Sequence, residues 1–241
     1  MAPLTLTDTP PPPLNLLGTK DDYCYRRFAD LAEAFEERSP PVNATYFVGH
    51  SSLRVGVING NLDRAASVPE INRTQAALAG AMEDGAIGLS SGLAYPPAAA
   101  TTDEVTALAD VAGQYGGLYS THLRDEGDQV GAAMDEAFEI AENGRLPLVL
   151  SHHKCLGRAN FGQSAETLAA IDDASRRIDG GFDVYPYTAG STALLQSFVE
   201  RAERVIVTWS DPHPQATGRD LADLVAEFGG SVNDTVDRLN P

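Results

Sequence analysis

The chain has 241 residues, enough for one large domain or two small ones. Its 34 acidic residues against 17 basic ones give a formal charge of −17, which argues against nucleic acid or an anionic membrane as partner, since both reward a basic face. No run approaches the roughly 18 apolar residues of a membrane span, the start MAPLTLTDTPPPPLNLLG lacks the charged and apolar regions of a secretory signal, and Cys24 and Cys155 have no zinc-ribbon spacing, so the expectation is a cytoplasmic protein with two free thiols.

Residues 1–22 read as an extended Pro-rich lead-in. A short amphipathic helix follows, with Phe28, Leu31, Ala32 and Phe35 on one stripe. Residues 43–49 (NATYFVG) predict a strand that ends in a turn at His50-Ser51-Ser52. Residues 70–84 predict a helix, and 86–91 (AIGLSS) a strand. Thr101-Thr102-Asp103-Glu104 has the form of a capping box and predicts a helix start. Residues 117–122 (GLYSTH) make a third strand. The helix over 128–142 has the clearest periodicity, with Val130, Ala133, Met134, Ala137, Phe138 and Ala141 on one face and Asn143-Gly144 as the stop. A fourth strand over 146–152, a helix capped by Ser164 that buries Leu168, Ile171 and Ile178, and a fifth strand over 181–187 follow. Residues 204–209 (RVIVTW) suit a sixth strand, and helices are expected over 219–228 and 231–239.

Strands alternating with amphipathic helices at intervals of about 30 residues predict an α/β fold, with a parallel sheet and helices outside. No GxGxxG or GxxxxGK[ST] run follows a strand, which weakens a nucleotide-binding reading. A closed barrel needs eight strands and about 250 residues. Five to six strands therefore predict an incomplete (β/α)8 TIM-type barrel, or an open sheet. Its open parallel edges would invite self-association.

Polar residues gather at the C-terminal ends of the strands: Thr121-His122-Leu123-Arg124-Asp125-Glu126, then Ser151-His152-His153-Lys154, then Asp183 to Tyr187. Parallel α/β folds assemble their sites at that edge. Imidazole is the commonest protein ligand of zinc, so His122 and His152 on consecutive strands are candidate metal ligands. The alternative is the ordinary polar rim of a sheet. If the fourth strand persists, His152 and His153 point to opposite faces and only one belongs to the site. His50 reads as structural or as support behind a ligand, His213 as an exposed loop residue, and Arg124 to Glu126 as the opening of the next helix.

The runs Gly49 to Arg54, GAIGLSSGLAYPP (85–97), GGLYSTHLRDEGD (116–128), LVLSHHKCLG (148–157) and DVYPYTAGST (183–192) together resemble the N-acyl-D-amino-acid deacylases (D-aminoacylases) of the amidohydrolase superfamily. The resemblance implies a zinc-dependent barrel hydrolase that splits an N-acyl-D-amino acid into a carboxylate and a D-amino acid. It makes His122 and His152 zinc ligands and places Tyr95, Lys154, Tyr185 and Ser191 around the substrate.

The family's HxH pair, its Asn-Cys-Gly ligand and its catalytic aspartate have no counterpart here, so the zinc site is expected to be incomplete and no catalytic base is assigned. The expectation is a truncated chain, weakly active or inactive alone. The alternatives are a non-catalytic binder of acyl-amino acids and a chain that needs a partner to complete its site. The tail from Ile206 resembles the family too, and its closeness to Ser191-Thr192 implies a deletion near 193–200. The organisation expected is a lead-in over 1–22, a partial barrel over 23–200 and a helical segment of the same domain over 201–241.

Overall fold

The computed structural model describes residues 2–58, 61–95 and 99–240. The chain packs as two compact units. One runs to Cys155 and resumes over Gly162–Pro186, and the other comprises Leu156–Phe161 and the chain from Tyr187 onward.

The first unit opens with an antiparallel ribbon, β1 (Leu4–Thr5) and β2 (Cys24–Tyr25), and helix α1 (Phe28–Glu37). The lead-in is more than an extended strap. Leu4, Leu14 and Tyr23 bury together, and the Tyr23 hydroxyl donates to the Leu14 carbonyl. There follow β3 (Val48–Gly49), α2 (His50–Val57), α3 (Val68–Glu83), β4 (Gly88–Gly92), α4 (Thr102–Gln114), β5 (Leu118–His122), α5 (Val130–Gly144), β6 (Leu148–Leu150), α6 (Ser164–Ala174) and β7 (Gly180–Phe182). Strands β3 to β7 form one parallel sheet in chain order, with Gly92 opposite His122 and Thr121 opposite Leu150.

Side chains alternate across a strand, and this decides which face holds the core. Leu89, Tyr119, Leu148 and Leu150 bury with Leu78 and Met82 of α3, Val105 and Leu108 of α4, and Met134 and Phe138 of α5. Each such side chain contributes about 1.5–3 kcal/mol on burial. The alternate residues Ser90, Ser120, His122, Val149 and Ser151 lie on the opposite face and are half-buried, with the Ser120 and Ser151 hydroxyls 2.9 Å apart. His122 therefore stands on the face away from the helices. Gly88 and Gly180 begin their strands at positive φ (156° and 137°), where a Cβ would strike the backbone of Leu118 and Leu148 respectively. Glycine is what lets the strands pair closely there.

The sheet holds five strands, and no closed barrel forms among the described residues. The expected sixth strand belongs to the second unit, where β8 (Ile206–Val207) pairs antiparallel with β9 (Arg219–Asp220). Around that ribbon, α7 (Gln196–Val199), α8 (Leu221–Phe228) and α9 (Val232–Leu239) bury Val207, Leu221, Leu224, Val236 and Leu239.

Several local expectations are corrected. His50-Ser51-Ser52 is the first turn of helix α2, because Leu53 and Arg54 must reach the core side. Helix α5 begins at Val130 and ends with Arg145 in the left-handed conformation. Gly144 is its last helical residue, packed against Ala109. In α6, Leu168 is exposed, and Thr167 and Ala174 are buried. Thr101 caps α4 as expected by accepting from the Glu104 N–H. The Glu104 carboxylate does not complete the box: it is buried against Arg54 and His50.

Candidate metal centre

Strand β5 delivers His122 to the C-terminal edge of the sheet, and the segment after β6 delivers His152. His122 Nδ1 and His152 Nε2 stand 3.1 Å apart. Glu126 joins them, with Oε1 3.2 Å from His152 Nδ1 and Oε2 3.5 Å from His122 Nε2. One donor atom from each of the three residues lies within 4.8 Å of the others.

The two rings bond only if one donates. Which ring donates depends on the tautomer of His152, whose Nδ1 lies beside both the Glu126 carboxylate, an acceptor, and the Lys154 ammonium, a donor. His122 Nε2 takes no part in this pairing. It is buried and has no hydrogen-bond partner. Burial pushes the His122 pKa down to about 4. Glu126 opposes that shift, while His152 and Lys154 reinforce it, so the ring is neutral at physiological pH. For Glu126, burial works to raise the pKa, but the hydrogen bonds with His152 and Lys154 and the charge of Lys154 hold it below the usual range.

Local structure explains how these residues meet. The chain does not enter a helix after β5. Asp125 Oδ1 accepts from the N–H groups of Gly127 and Gln129, which turns residues 125–129 before α5 begins. That turn folds Glu126 back under the histidines, so its reading as a helix-opening acid is corrected. Arg124 forks onto Glu136 of α5 and also donates to the Ala100 carbonyl. His152 sits at φ 42°, a left-handed conformation that costs a non-glycine residue about 1–2 kcal/mol. Its N–H donates to Asp183 Oδ1, and the N–H of His153 donates to the Asp183 carbonyl, both at 2.8 Å. The two histidines do diverge, but through this turn and not through a strand pleat, since β6 ends at Leu150. His153 bonds Thr167 of α6 instead.

Of the residues expected around the substrate, three lie near the histidines. The Tyr95 ring packs edge-on to His122 with centroids 4.9 Å apart. Its neighbours Pro96 and Pro97 lie outside the described residues. Lys154 Nζ donates to Glu126 Oε1 at 2.6 Å, lies 2.9 Å from His152 Nδ1 and stands 5.7 Å from the centre of the Tyr185 ring. Ser191 lies in the second unit, exposed and in irregular chain. His50 is buried and contacts Glu104, apart from the cluster. His213 lies in a loop as expected but is half-buried against Phe228.

The residues present suit a metal ion. Two imidazoles and a carboxylate are a donor set used by catalytic zinc. A buried ring nitrogen beside a carboxylate, with no hydrogen-bond partner, is a position that a cation would satisfy. The sequence signal that could have found Glu126 is its i+4 spacing from His122 just past a strand end.

No protein-family model matches the chain. It is 46% identical over 242 residues to D-aminoacylase of Alcaligenes xylosoxydans xylosoxydans, covering 100% of this chain and 50% of that protein. It is 40% identical over 243 residues to the N-acyl-D-aspartate deacylase of the same organism, covering 100% and 48%. Among solved structures, a D-aminoacylase described as defining a novel subset of amidohydrolases superposes with a TM-score of 0.94 at 44% identity, again over 100% of this chain and 50% of that one. The chain belongs to the D-aminoacylase family. It spans about half the length of the curated relatives it matches. Its fold corresponds to part of an amidohydrolase barrel. The match runs over 242 residues against a chain of 241, which overturns the deletion expected near 193–200. Another D-aminoacylase structure of the same similarity concerns a binuclear metal centre with one-metal activation and second-metal attenuation. An N-acyl-D-glutamate deacylase from Bordetella bronchiseptica, 35% identical with a TM-score of 0.92 over 100% of this chain and 50% of that one, holds zinc and a phosphonate mimic of the tetrahedral intermediate. No helix among the described residues is long and apolar enough to cross a membrane.

Proposed function

We propose that this chain carries metal-binding and substrate-binding elements of a zinc-dependent amide hydrolase of the D-aminoacylase type, acting on an N-acyl-D-amino acid and water to give a carboxylate and a D-amino acid. The observation that carries the reading is the buried, unpartnered His122 Nε2, set among His152 and Glu126 in a chain 46% identical to a D-aminoacylase. His122 and His152 would hold the zinc, with Glu126 as the third donor within reach. When bound there, zinc supplies Lewis-acid polarisation of an acyl carbonyl and acidifies a water.

The protein's own residues supply the rest. Lys154 presents a cation suited to the free carboxylate of an amino-acid product, and the Tyr185 ring beside it supports that charge. Tyr95 walls the cluster on the His122 side. Ser191 stays a substrate-contact candidate on the resemblance alone. We also propose that these 241 residues turn over weakly or not at all by themselves, because Glu126, the carboxylate beside the histidines, is already engaged by Lys154 and His152. The sheet's outer strand β7 supports self-association, since Phe182 and the following Val184 are exposed; light scattering reads that directly.

The test is zinc content and D-methionine release from N-acetyl-D-methionine, measured on the purified chain. The reading expects one zinc per chain, lost in His122→Ala, and slow or absent turnover. A chain that takes up no zinc would overturn it.

A further inference from the structure

The geometry points to Asp183 as a positioning residue that sets the orientation of His152, an inference that rests on the metal-centre reading above. His152 lies past the end of β6, where no ladder bond holds it. Its backbone adopts φ 42°, a conformation that histidine rarely keeps without support. The support is one residue on the neighbouring strand. Leu150 pairs with Phe182, so the residue after Phe182 falls beside the turn. Asp183 there accepts the His152 N–H through Oδ1 and the His153 N–H through its carbonyl, while its own N–H donates to the Leu150 carbonyl.

These three bonds close a turn that sends two adjacent histidines in different directions. The His152 ring goes to His122 and Glu126. The His153 ring goes to Thr167 and the edge of Phe182. The backbone bond from Asp183 and the ring bond from Glu126 therefore hold His152 from its two ends. The Asp183 side chain is exposed and bonds the backbone of His152. Its influence on the centre runs through the His152 backbone. An aspartate suits this place because its short side chain readily bonds backbone N–H groups.

The distinguishing feature is the hydrogen-bond acceptor and not the charge. Asp183→Asn keeps an oxygen in place, whereas Asp183→Ala removes it. Partners that orient a metal-bound histidine change metal affinity by about 10–100-fold when removed. The experiment is a zinc titration of the wild-type chain, Asp183→Ala and Asp183→Asn against a chromogenic chelator, with thermal melts as a folding control. Ring 15N shifts of His122 and His152 are recorded in the metal-free proteins. The expected result is zinc affinity about 10-fold or more weaker in Asp183→Ala, within about threefold of wild type in Asp183→Asn, at unchanged melting temperature. The metal-free ring shifts should move in Asp183→Ala as the Nδ1 to Nε2 bond between the histidines is lost, and stay in place in Asp183→Asn. Equal zinc affinity in Asp183→Ala and wild type would overturn the inference, as would equal loss in both variants. If the wild-type chain takes up no zinc, the metal-centre reading fails, and the ring shifts alone decide whether Asp183 positions His152.

Discussion

Replacing Glu104 by alanine is the severest test of how the first unit is held together. Glu104 and Arg54 are both about 1% exposed and bond each other through both carboxylate oxygens. Glu104 also bonds His50 and accepts from the Ala66 N–H, while Arg54 donates onward to the carbonyls of Leu62 and Arg64. One pair thus ties α2, α4 and the segment that leads into α3. Burial alone would raise the Glu104 pKa, but His50 and Arg54 overcome it and hold the carboxylate below its usual range. Glu104→Ala leaves a guanidinium buried with two carbonyls and no counter-charge, and breaking a buried pair in this way costs about 3–5 kcal/mol. That is a large share of the roughly 5–15 kcal/mol that a domain has. With a urea slope of about 2 kcal/mol/M, the unfolding midpoint followed by circular dichroism should fall by about 2 M. Arg54→Met combined with Glu104→Leu removes both charges and should recover at least half of the loss, because well-packed apolar replacements of such pairs are often neutral. A single variant within about 1 kcal/mol of wild type, or a double variant as unstable as the single, would refute the reasoning.

Metal-free stability should depend on pH through His122. The unfolded ring takes its proton near 6.5 and the folded ring only near 4, so between those values the unfolded state holds more protons. Stability therefore falls as pH drops through that window, by on the order of 3 kcal/mol, and His122→Asn flattens the slope in urea melts at stepped pH. Lys154 places a cation on Glu126 and beside His152, so Lys154→Met should tighten zinc binding by roughly tenfold in a chelator competition. A weaker affinity would show that the amine assists the centre, and an unchanged one that it does not compete for it.

Much of the fold was legible in the sequence because the periodicities were clean. Leu89, Tyr119, Leu148 and Leu150 face the apolar stripes of α3, α4 and α5, and alternation with serines and glycines marks the other face. The edges were harder. Residues 43–47 carry β-branched and aromatic side chains, yet only Val48–Gly49 joins the ladder, and residues 183–187 leave the sheet after Phe182. An outer strand has one neighbour at most, and nothing in a local window reports where that neighbour stops. Residues 204–209 failed for a related reason. Their apolar run suits any strand, and the partner it found, Arg219–Asp220, has no strand signal of its own.

The candidate centre shows the same division more sharply. His122 and His152 stood out because they sit where strands end. Glu126 did not, because its position depends on an Asp125 turn that delays α5 by several residues, and an acid just before a helix has an ordinary explanation in the helix dipole. The separation of His152 from His153 was anticipated from a strand pleat, yet β6 ends two residues short of it. What parts them is a left-handed backbone at His152 held by an aspartate 31 residues away in sequence. Residue type and spacing can nominate ligands, but which nitrogen faces which carboxylate is decided by such tertiary bonds to the backbone. That is why Asp183, which the sequence places only among the polar residues at a strand end, is the residue whose replacement tests the centre without touching any of its donors.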